Sequence, residues 1–482
     1  MTEVTTAEAQ RSPVQKVTLV TLTAMVVGGM VGAGVFSLPS RFATETGVWG
    51  AVIAWLIAGT GMIMLAFVFQ TLAVRKPTLD SGVYAYAKAG FGEYLGFFSA
   101  FGYWAGSCVG NVTYWILIMS TLGALAPWLG EGNTVPAVAL STIGIWGFAW
   151  LVLRGARDAT AINKVVTVAK VIPILVFVVL CVVYFDWDVF RDNLSGGPGA
   201  GSLFDQVSGT MLVTVFVFLG VEGASVYSRY AKRREDVGLA TVVGFLGVLA
   251  VFASVTVVSY GILPRAEIAQ LRQPSMAGVL EAAVGGWAAV LVSVGLIISV
   301  LGAYLAWTLM ACEVLLVAAL DSDMPRFLRR VNRSDAPTSA VLMTTVLIQV
   351  MLLVTMASEN AFDLALDMTS ALALFPFLLA AGYALKIGIA GDGYAEEPSG
   401  RTRDIVIAAV ATAYTVFLLY AAGPKYLLLS LIIYVPGTVF FVMARHEQGR
   451  PAFSPRERTI FVVSAVGAFI GVVALVTGWI TV

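Results

Sequence analysis

The segment VVGGMVGAGVF, residues 26–36, places four glycines in the middle of an apolar stretch long enough to cross a bilayer. Glycine costs an ordinary helix roughly 1 kcal/mol per residue relative to alanine. At this density, glycines let the helix unwind near the membrane midplane, which frees backbone N–H and C=O groups. Such groups are tolerated inside a membrane only where they line a cavity or hold a ligand. The segment therefore predicts a broken helix at a binding site, with close helix packing through small residues as the alternative.

The composition indicates that most of the chain is surrounded by lipid. Of 482 residues, 59% are hydrophobic and 12% are charged, whereas about 25% charged residues is usual in soluble domains. The net charge is zero, which gives no indication of a nucleic-acid partner. Cys108, Cys181 and Cys312 lie in apolar stretches and predict packing residues rather than a disulfide or a metal site. We expect an all-α integral membrane protein without metal or cofactor.

Thirteen apolar segments are long enough to span the bilayer, since a membrane helix needs about 20 apolar residues. They lie roughly at residues 17–40, 48–74, 93–124, 136–153, 163–184, 205–228, 238–262, 286–318, 338–357, 361–385, 404–422, 425–444 and 459–480. These segments are called spans 1 to 13. A polar tail, residues 1–15, precedes them, and no cleavable signal peptide is expected.

The basic residues predict the orientation of the spans. With the N-terminus inside, the inner connections hold 23 of the 29 Lys and Arg residues and the outer ones hold five, namely Arg41, Arg191, Arg265, Arg272 and Lys425. Because cytoplasmic loops carry an excess of Lys and Arg, this distribution predicts a multi-pass protein of the cytoplasmic membrane with a cytoplasmic N-terminus.

A second interruption occurs in span 6, where VFVFLGVEGASVYS, residues 215–228, carries Gly220 and Gly223 on either side of Glu222. The two interruptions lie in spans 1 and 6, an offset of five spans, so the second half of such a repeat would be inverted in the membrane. Paired interruptions of this kind indicate the binding site of a secondary transporter. The N–H groups of a half-helix suit a carboxylate and the freed carbonyls suit an ammonium group, so an α-amino acid fits both.

Four ionisable residues lie within spans or near their edges, and each is a functional hypothesis because a charge facing lipid is costly. Lys170 is expected either to exchange a proton during transport or to be a fixed strut. Glu222 either senses protons or a substrate cation, or caps freed N–H groups. Glu313 either balances Lys170 or faces an inner vestibule. Asp367 either attracts a cationic side chain or lies at the outer interface.

Three stretches carry a family resemblance: GGMVGAGVFSLP at 28–39, FLGVEGASVYS at 218–228 and the segment at 306–340 that begins AWTLMACEV. They resemble the amino acid–polyamine–organocation superfamily and, within it, the arginine/ornithine branch of the basic amino acid/polyamine antiporters. The resemblance implies a LeuT-type fold of two inverted five-span repeats. These would be residues 16–190, broken at 28–34, and 203–390, broken at 219–224, followed by accessory spans 11–13 at 400–482.

The resemblance also implies the residues of the site. The backbone at Met30, Ala33 and Gly34 would hold the substrate carboxylate, and Phe216 would be an aromatic gate before Leu219 and Gly220. Asn111 and Tyr114 would contact the substrate from span 3, Trp307 would stack on its cationic end, and Thr369 and Ser370 would be a polar pair in span 10. In sodium-independent relatives, a lysine at the place of Lys170 substitutes for a bound cation.

The expected function is secondary active exchange of basic amino acids, of the arginine/ornithine type, by alternating access. Two alternatives stay open: a proton-coupled permease for lysine or another basic amino acid, and an amino acid/amine antiporter for lysine and cadaverine or histidine and histamine. No arrangement of catalytic side chains is found, so an enzyme is not expected. The expected partners are small amino acids and the bilayer, and a homodimer stays open.

Overall fold

The computed structural model describes residues 18–79, 83–155, 159–197, 201–222, 234–334, 336–358, 360–394 and 399–481. Within these ranges the chain forms α-helices and short 3-10 helices and no strand. Nine of the described helices are long and apolar enough to cross a membrane, and the bent span 1 would be a tenth. The predicted N-terminal tail and Gly223 in the second interruption lie outside the described residues.

The unbroken spans follow the apolar segments closely. Spans 2 to 5 are Val48–Arg75, Glu93–Gly123, Val135–Leu153 and Ala159–Val183; spans 7 to 10 are Arg234–Ser259, Gly286–Leu320, Thr338–Thr355 and Ala361–Ala390; span 13 is Pro455–Val476. Helices form throughout because a bilayer offers no other partner for backbone N–H and C=O groups.

Span 1 is broken at the glycine-rich segment. The helix Leu19–Met30 ends where Val31 turns to an extended conformation, and the chain resumes as the 3-10 helix Gly34–Ser37 and the α-helix Leu38–Glu45. The two halves are bent by 46°. The observed break, residues 31–33, lies within the predicted one at 28–34.

Span 6 is broken at the second glycine segment. The helices Leu203–Gly209 and Met211–Phe218 form its first half, and Gly220 then has a φ of +104°. That conformation favours glycine, since a Cβ there would clash with the backbone. The described part of the break, residues 219–222, again agrees with the predicted one.

The two breaks pack directly against each other. A Cβ built on Gly34 would lie 2.5 Å from Cγ1 of Val217, and one on Gly220 would lie 2.6 Å from the carbonyl oxygen of Gly29. The segment after the break in span 1 therefore faces the segment before the break in span 6. The two spans run in opposite directions, as an inverted repeat requires.

The helix Arg401–Glu447 contains both spans 11 and 12. Its 47 residues would extend for about 70 Å, twice the thickness of a bilayer core. Gly423 departs from helical geometry, with φ 68° and ψ 173°. Asp404 pairs with Arg75 at the end of span 2, and Tyr426 bonds to Asp367 near the start of span 10. The segment is therefore a helical hairpin whose turn lies at Gly423.

Span 3 forms the centre of the helix bundle. All its residues from 96 to 121 are buried, and it packs against spans 8, 10 and 12. Small residues allow this close approach: a Cβ on Gly106 would lie 3.3 Å from Cβ of Leu372 in span 10. A fully buried central helix gives the site a rigid wall.

Short helices close both ends of the bundle. At one end, Ser275–Val284 lies against span 1, where the Ser40 N–H donates to Ser275 Oγ at 3.1 Å. At the other end, the helix Val83–Phe91 contacts the end of span 8 through Lys88 Nζ and Asp323 Oδ2, which are 2.6 Å apart. Burial raises the pKa of the Asp323 carboxyl, and its hydrogen bond from Lys88 opposes that rise.

Candidate functional site

A central cavity lies where the two broken spans meet spans 3, 8 and 10. It is lined by Gly32, Ala33, Gly34, Tyr103, Gly106, Ser107, Gly110, Tyr114, Phe216, Leu219, Trp307, Thr369 and Ala373. Its free volume is about 30 Å³, which is room for about two waters. Sites for small organic ligands usually measure about 300 Å³ or more. The cavity is therefore too small here for an amino acid.

The broken part of span 1 supplies backbone donors to this cavity. Gly32 and Ala33 lie between its two helices, and Gly34 begins the second. Among the described residues, no backbone carbonyl accepts from the N–H groups of these three residues. Such N–H groups at the start of a helix form a binding place for a carboxylate. The hydroxyl of Tyr114 lies beside them, 3.2 Å from a Cβ built on Gly32.

Aromatic rings form the other walls. The rings of Tyr103 and Trp307 have centroids 6.3 Å apart and are tilted by 34°, and Phe216 lines the cavity at the end of the first half of span 6. A cation within about 6 Å of such a ring face is attracted by the quadrupole of the ring. The cavity thus combines donors for an anion with aromatic faces for a cation.

Glu222 connects the break in span 6 to the cavity wall. Its Oε2 accepts from the N–H of Gly220 at 3.0 Å, and its Oε1 accepts from the hydroxyl of Tyr103 at 2.8 Å. The carboxylate therefore caps a freed N–H group and also orients a residue that lines the site. The geometry agrees with the capping alternative and leaves a role in sensing the substrate open.

Lys170 connects span 5 to the first break. Its Nζ donates to the carbonyl oxygen of Gly28 at 3.2 Å, and the side chain is buried. The ammonium thus stabilises a carbonyl near the end of the first half-helix of span 1. This contact is what the strut alternative requires, and proton exchange by Lys170 stays a prediction.

Asp367 and Glu313 lie outside the central cavity. Asp367 Oδ1 is 2.6 Å from Nη2 of Arg41, so the buried carboxylate is held in an ion pair. Glu313 is exposed and, within the described part of the chain, forms no ion pair with Lys170 or any other cation. Both alternatives for Asp367 stay predictions, and the balancing of Lys170 is not seen for Glu313.

Seven of the residues expected from the resemblance line the cavity: Ala33, Gly34, Tyr114, Phe216, Leu219, Trp307 and Thr369. Four do not. Met30 is buried in the helix before the break, and Gly220 packs against Gly29. Asn111 Nδ2 donates to Thr308 Oγ1 at 3.1 Å, and Ser370 Oγ donates to the Leu212 carbonyl at 2.7 Å. These last two side chains link neighbouring spans in this state.

Six lining residues were not among the sequence-based candidates: Gly32, Tyr103, Gly106, Ser107, Gly110 and Ala373. Two of them, Gly106 and Gly110, are four residues apart in span 3, so the small-residue spacing that marks close helix contact could have indicated this face. Nothing in the sequence around Tyr103 indicates that it lines the cavity, because its position depends on a hydrogen bond to Glu222 in another span. Among the described residues, no group of His, Cys, Asp and Glu side chains could hold a metal ion.

Comparison with known proteins places the chain among amino-acid transporters. Residues 17–444 match the amino acid permease family. The chain is 46% identical to an arginine/ornithine antiporter of Pseudomonas aeruginosa, over 97% of this chain and 98% of that protein. It is 40% identical to an L-lysine transport protein of Corynebacterium glutamicum, over 96% and 95%. It is also 34% identical to an arginine/agmatine antiporter of Chlamydia pneumoniae, over 95% of each chain.

Proposed function

Since the chain belongs to the amino acid permease family, we propose that this membrane transporter of basic amino acids works by exchange, with arginine and ornithine as its substrate pair. The arginine/ornithine antiporter of Pseudomonas aeruginosa supports this pair, because the similarity covers nearly the whole of both chains. The protein is thus a transporter rather than an enzyme. It acts in the cytoplasmic membrane with its N-terminus inside, as the distribution of basic residues suggests.

The observation that carries the proposal is the meeting of the two broken spans at one cavity. The substrate carboxylate would bind the N–H groups of Gly32, Ala33 and Gly34, and Tyr114 would donate its hydroxyl to the same group. The cationic end would lie against the ring of Trp307. Because both charges of the amino acid then have partners, the substrate can leave water without an unpaired charge.

Transport would proceed by alternating access between the two proposed repeats, residues 16–190 and 203–390. The cavity must expand before arginine can bind, so side chains that line it, such as Phe216 and Trp307, would have to move. Because spans 1 and 6 run in opposite directions, the cavity would open to one side of the membrane at a time. Exchange results if the protein switches access from one side to the other only when a substrate is bound, and does so very slowly when the site is empty.

Counterflow in proteoliposomes tests the proposal. Vesicles are loaded with ornithine, arginine, lysine or buffer, and uptake of labelled arginine is followed. We expect strong stimulation by internal ornithine or arginine and little uptake into buffer-loaded vesicles. Equal uptake into all vesicles would contradict exchange.

The second candidate function is proton-coupled uptake of lysine; the L-lysine transport protein of Corynebacterium glutamicum supports lysine as the substrate. It predicts concentrative lysine uptake into buffer-loaded vesicles when the outside is acidic. Lysine uptake that requires internal cadaverine would instead point to the amino acid/amine exchange. Adding cadaverine-loaded vesicles to the set therefore separates all three mechanisms.

A further inference from the structure

A groove with apolar walls and a polar end lies between spans 12 and 13. Its free volume is about 470 Å³, and sites for small molecules usually measure about 300–1,000 Å³. One wall is a face of span 12, and the other includes two aromatic rings stacked with their centroids 5.0 Å apart. We call it the span 12/13 groove, and its lining includes Val435, Val439, Val442, His446, Phe453 and Phe461.

The apolar part of the span 12/13 groove has the depth of one leaflet and opens sideways, toward the surrounding lipid. Val439 is 59% exposed, and only 17% of the most apolar stretch of span 13 is buried inside the protein. Val435 and His446 are eleven residues apart, or about 16 Å along the helix. Half of a hydrocarbon core measures about 15 Å. The excess of Lys and Arg at the end with His446 predicts that this leaflet is the cytoplasmic one.

Two carboxylates beyond the polar end of the groove already have cationic partners. Glu93 of span 3 lies 2.8 Å from Arg445 Nη2 and 3.1 Å from Arg450 Nη1. Glu457, in the first turn of span 13, lies 2.8 Å from the same Nη2 of Arg445. These two carboxylates and two guanidinium groups therefore balance each other's charge.

Two further cations at this end have no such partner. Arg456 and Arg458, in the first turn of span 13, are exposed, and neither forms an ion pair within the described part of the chain. Arg458 is three residues before Phe461, so it lies one turn closer to the end of the helix on the side that faces the groove. Glu447, which lines the groove, accepts from the backbone N–H of Arg326 at 2.8 Å, and the guanidinium of Arg326 donates to the Glu447 carbonyl oxygen at 3.1 Å. Positive charge is therefore in excess where the groove reaches the membrane surface.

This combination fits an amphiphile better than a second copy of the chain. An apolar wall one leaflet deep accommodates an acyl chain, and arginines at its surface end attract the headgroup of an anionic lipid. A second copy related by a two-fold axis along the membrane normal would bring the same arginines of both copies to one level, where like charges repel. Span 13 also lies beyond residues 17–444, which match the amino acid permease family, so the groove is added to the core that this family shares.

We propose that the span 12/13 groove binds an anionic phospholipid of the cytoplasmic leaflet. One acyl chain lies along Val439 and Val442, and the phosphate is bound by Arg458 and by the ring of His446, which can donate a hydrogen bond. The lipid thereby holds span 13, which is mostly exposed, against span 12. This binding does not depend on which amino acid is transported.

Titration of the full chain with phosphatidylglycerol in detergent, followed by native mass spectrometry, tests the charged end of the groove. Arg458→Gln should weaken binding of this lipid about five-fold, which is the usual contribution of one arginine near an anionic headgroup. Arg333→Gln is the matched control. Arg333 is an exposed arginine without an ion pair among the described residues, and it follows Asn332, whose side chain donates to the Leu153 carbonyl at the end of span 4. The control should bind like the wild type, and equal weakening in both variants would overturn the proposal.

A second pair of variants tests the apolar wall. Val439→Trp fills part of the groove and should weaken lipid binding about four-fold, the effect of losing the burial of one CH₂ group. Val416→Trp in span 11 is the control, because Val416 is 52% exposed and does not line the groove. Unchanged lipid binding by Val439→Trp would place the lipid elsewhere on the protein and overturn the proposal.

The choice of ligand separates a lipid from other occupants. Phosphatidylcholine with the same acyl chains should bind at least about five-fold more weakly, and glycerol phosphate, which has no acyl chain, should not displace phosphatidylglycerol. Equal binding of phosphatidylcholine, or displacement by glycerol phosphate, would contradict an anionic lipid. A dimer that forms without lipid and that Val439→Trp dissociates would also overturn the proposal, since the groove would then be an interface between two copies.

Discussion

At the scale of single residues, the site depends on a few side chains that join distant parts of the chain. Trp307 faces the cavity from span 8, and Lys170 reaches from span 5 to a carbonyl of span 1 at 3.2 Å. Neither side chain contacts a neighbour in sequence. We therefore expect that either side chain can be truncated while its own helix is retained.

Trp307→Ala should weaken binding of a basic amino acid more than that of a small neutral one. A desolvated cation–π contact is worth roughly 1–2 kcal/mol, so the apparent affinity for arginine should fall about 5- to 30-fold relative to alanine. Competition against labelled arginine in counterflow measures both affinities. Equal losses would argue that Trp307 fills space without stacking on the cation.

Lys170→Ala should slow exchange with little effect on binding at saturation, because the ammonium contacts the broken helix and does not line the cavity. Rates and KM are measured across a pH series, with Lys170→Arg as the variant that keeps the charge. A proton carrier predicts that both variants lose the pH dependence of the wild type. A strut predicts that Lys170→Arg retains activity and that the pH dependence stays unchanged.

At the scale of elements, the breaks in spans 1 and 6 are what make a cavity in an otherwise close-packed bundle. Gly220 has a φ of +104° and packs on the carbonyl of Gly29. Other helices of the bundle contain glycines that carry no such constraint. In span 7, a Cβ on Gly247 would meet nothing within 4 Å.

Gly220→Ala should reduce exchange at least about ten-fold, because the added methyl group requires a strained backbone and meets Gly29. Gly247→Ala is the matched control and should retain full exchange, with thermal stability equal or slightly higher because alanine favours helix. Counterflow and thermal unfolding in detergent are measured on both proteins. Normal exchange by Gly220→Ala would show that the break adapts to a side chain.

At the scale of the whole molecule, the two ends of the last spans differ. At one end, Arg445 near the end of span 12 pairs with Glu93 of span 3 and Glu457 of span 13, each at 2.8 Å. At the other end, the turn between spans 11 and 12 lies at Gly423. The excess of Lys and Arg predicts that the end with Arg445 faces the cytoplasm.

The topology predicts which connections reach the outside. Alkaline phosphatase, which is active only outside the cytoplasm, should be active when fused at Gly423 and inactive when fused at Gly449, between spans 12 and 13. Expression of each fusion is checked by immunoblot as the control. The reverse activities would require spans 11 to 13 to cross in the opposite direction from the one proposed.

The sequence alone determined the fold class and the broken spans, because these depend on local properties. The length of an apolar run and the density of glycine act within one segment, and the distribution of Lys and Arg predicts the direction of the chain. Glycines at the two breaks, such as Gly34, could be located for the same reason, whereas Phe216 was indicated by the family resemblance.

Only the tertiary structure decided which side chains meet. Asn111 and Ser370 face neighbouring spans instead of the cavity, and Tyr103 lines it through its bond to Glu222, 119 residues away. Asp367 pairs with Arg41 across 326 residues. Inside a membrane every polar group needs a partner, but the choice of partner depends on how the helices pack, and no local pattern carries that information.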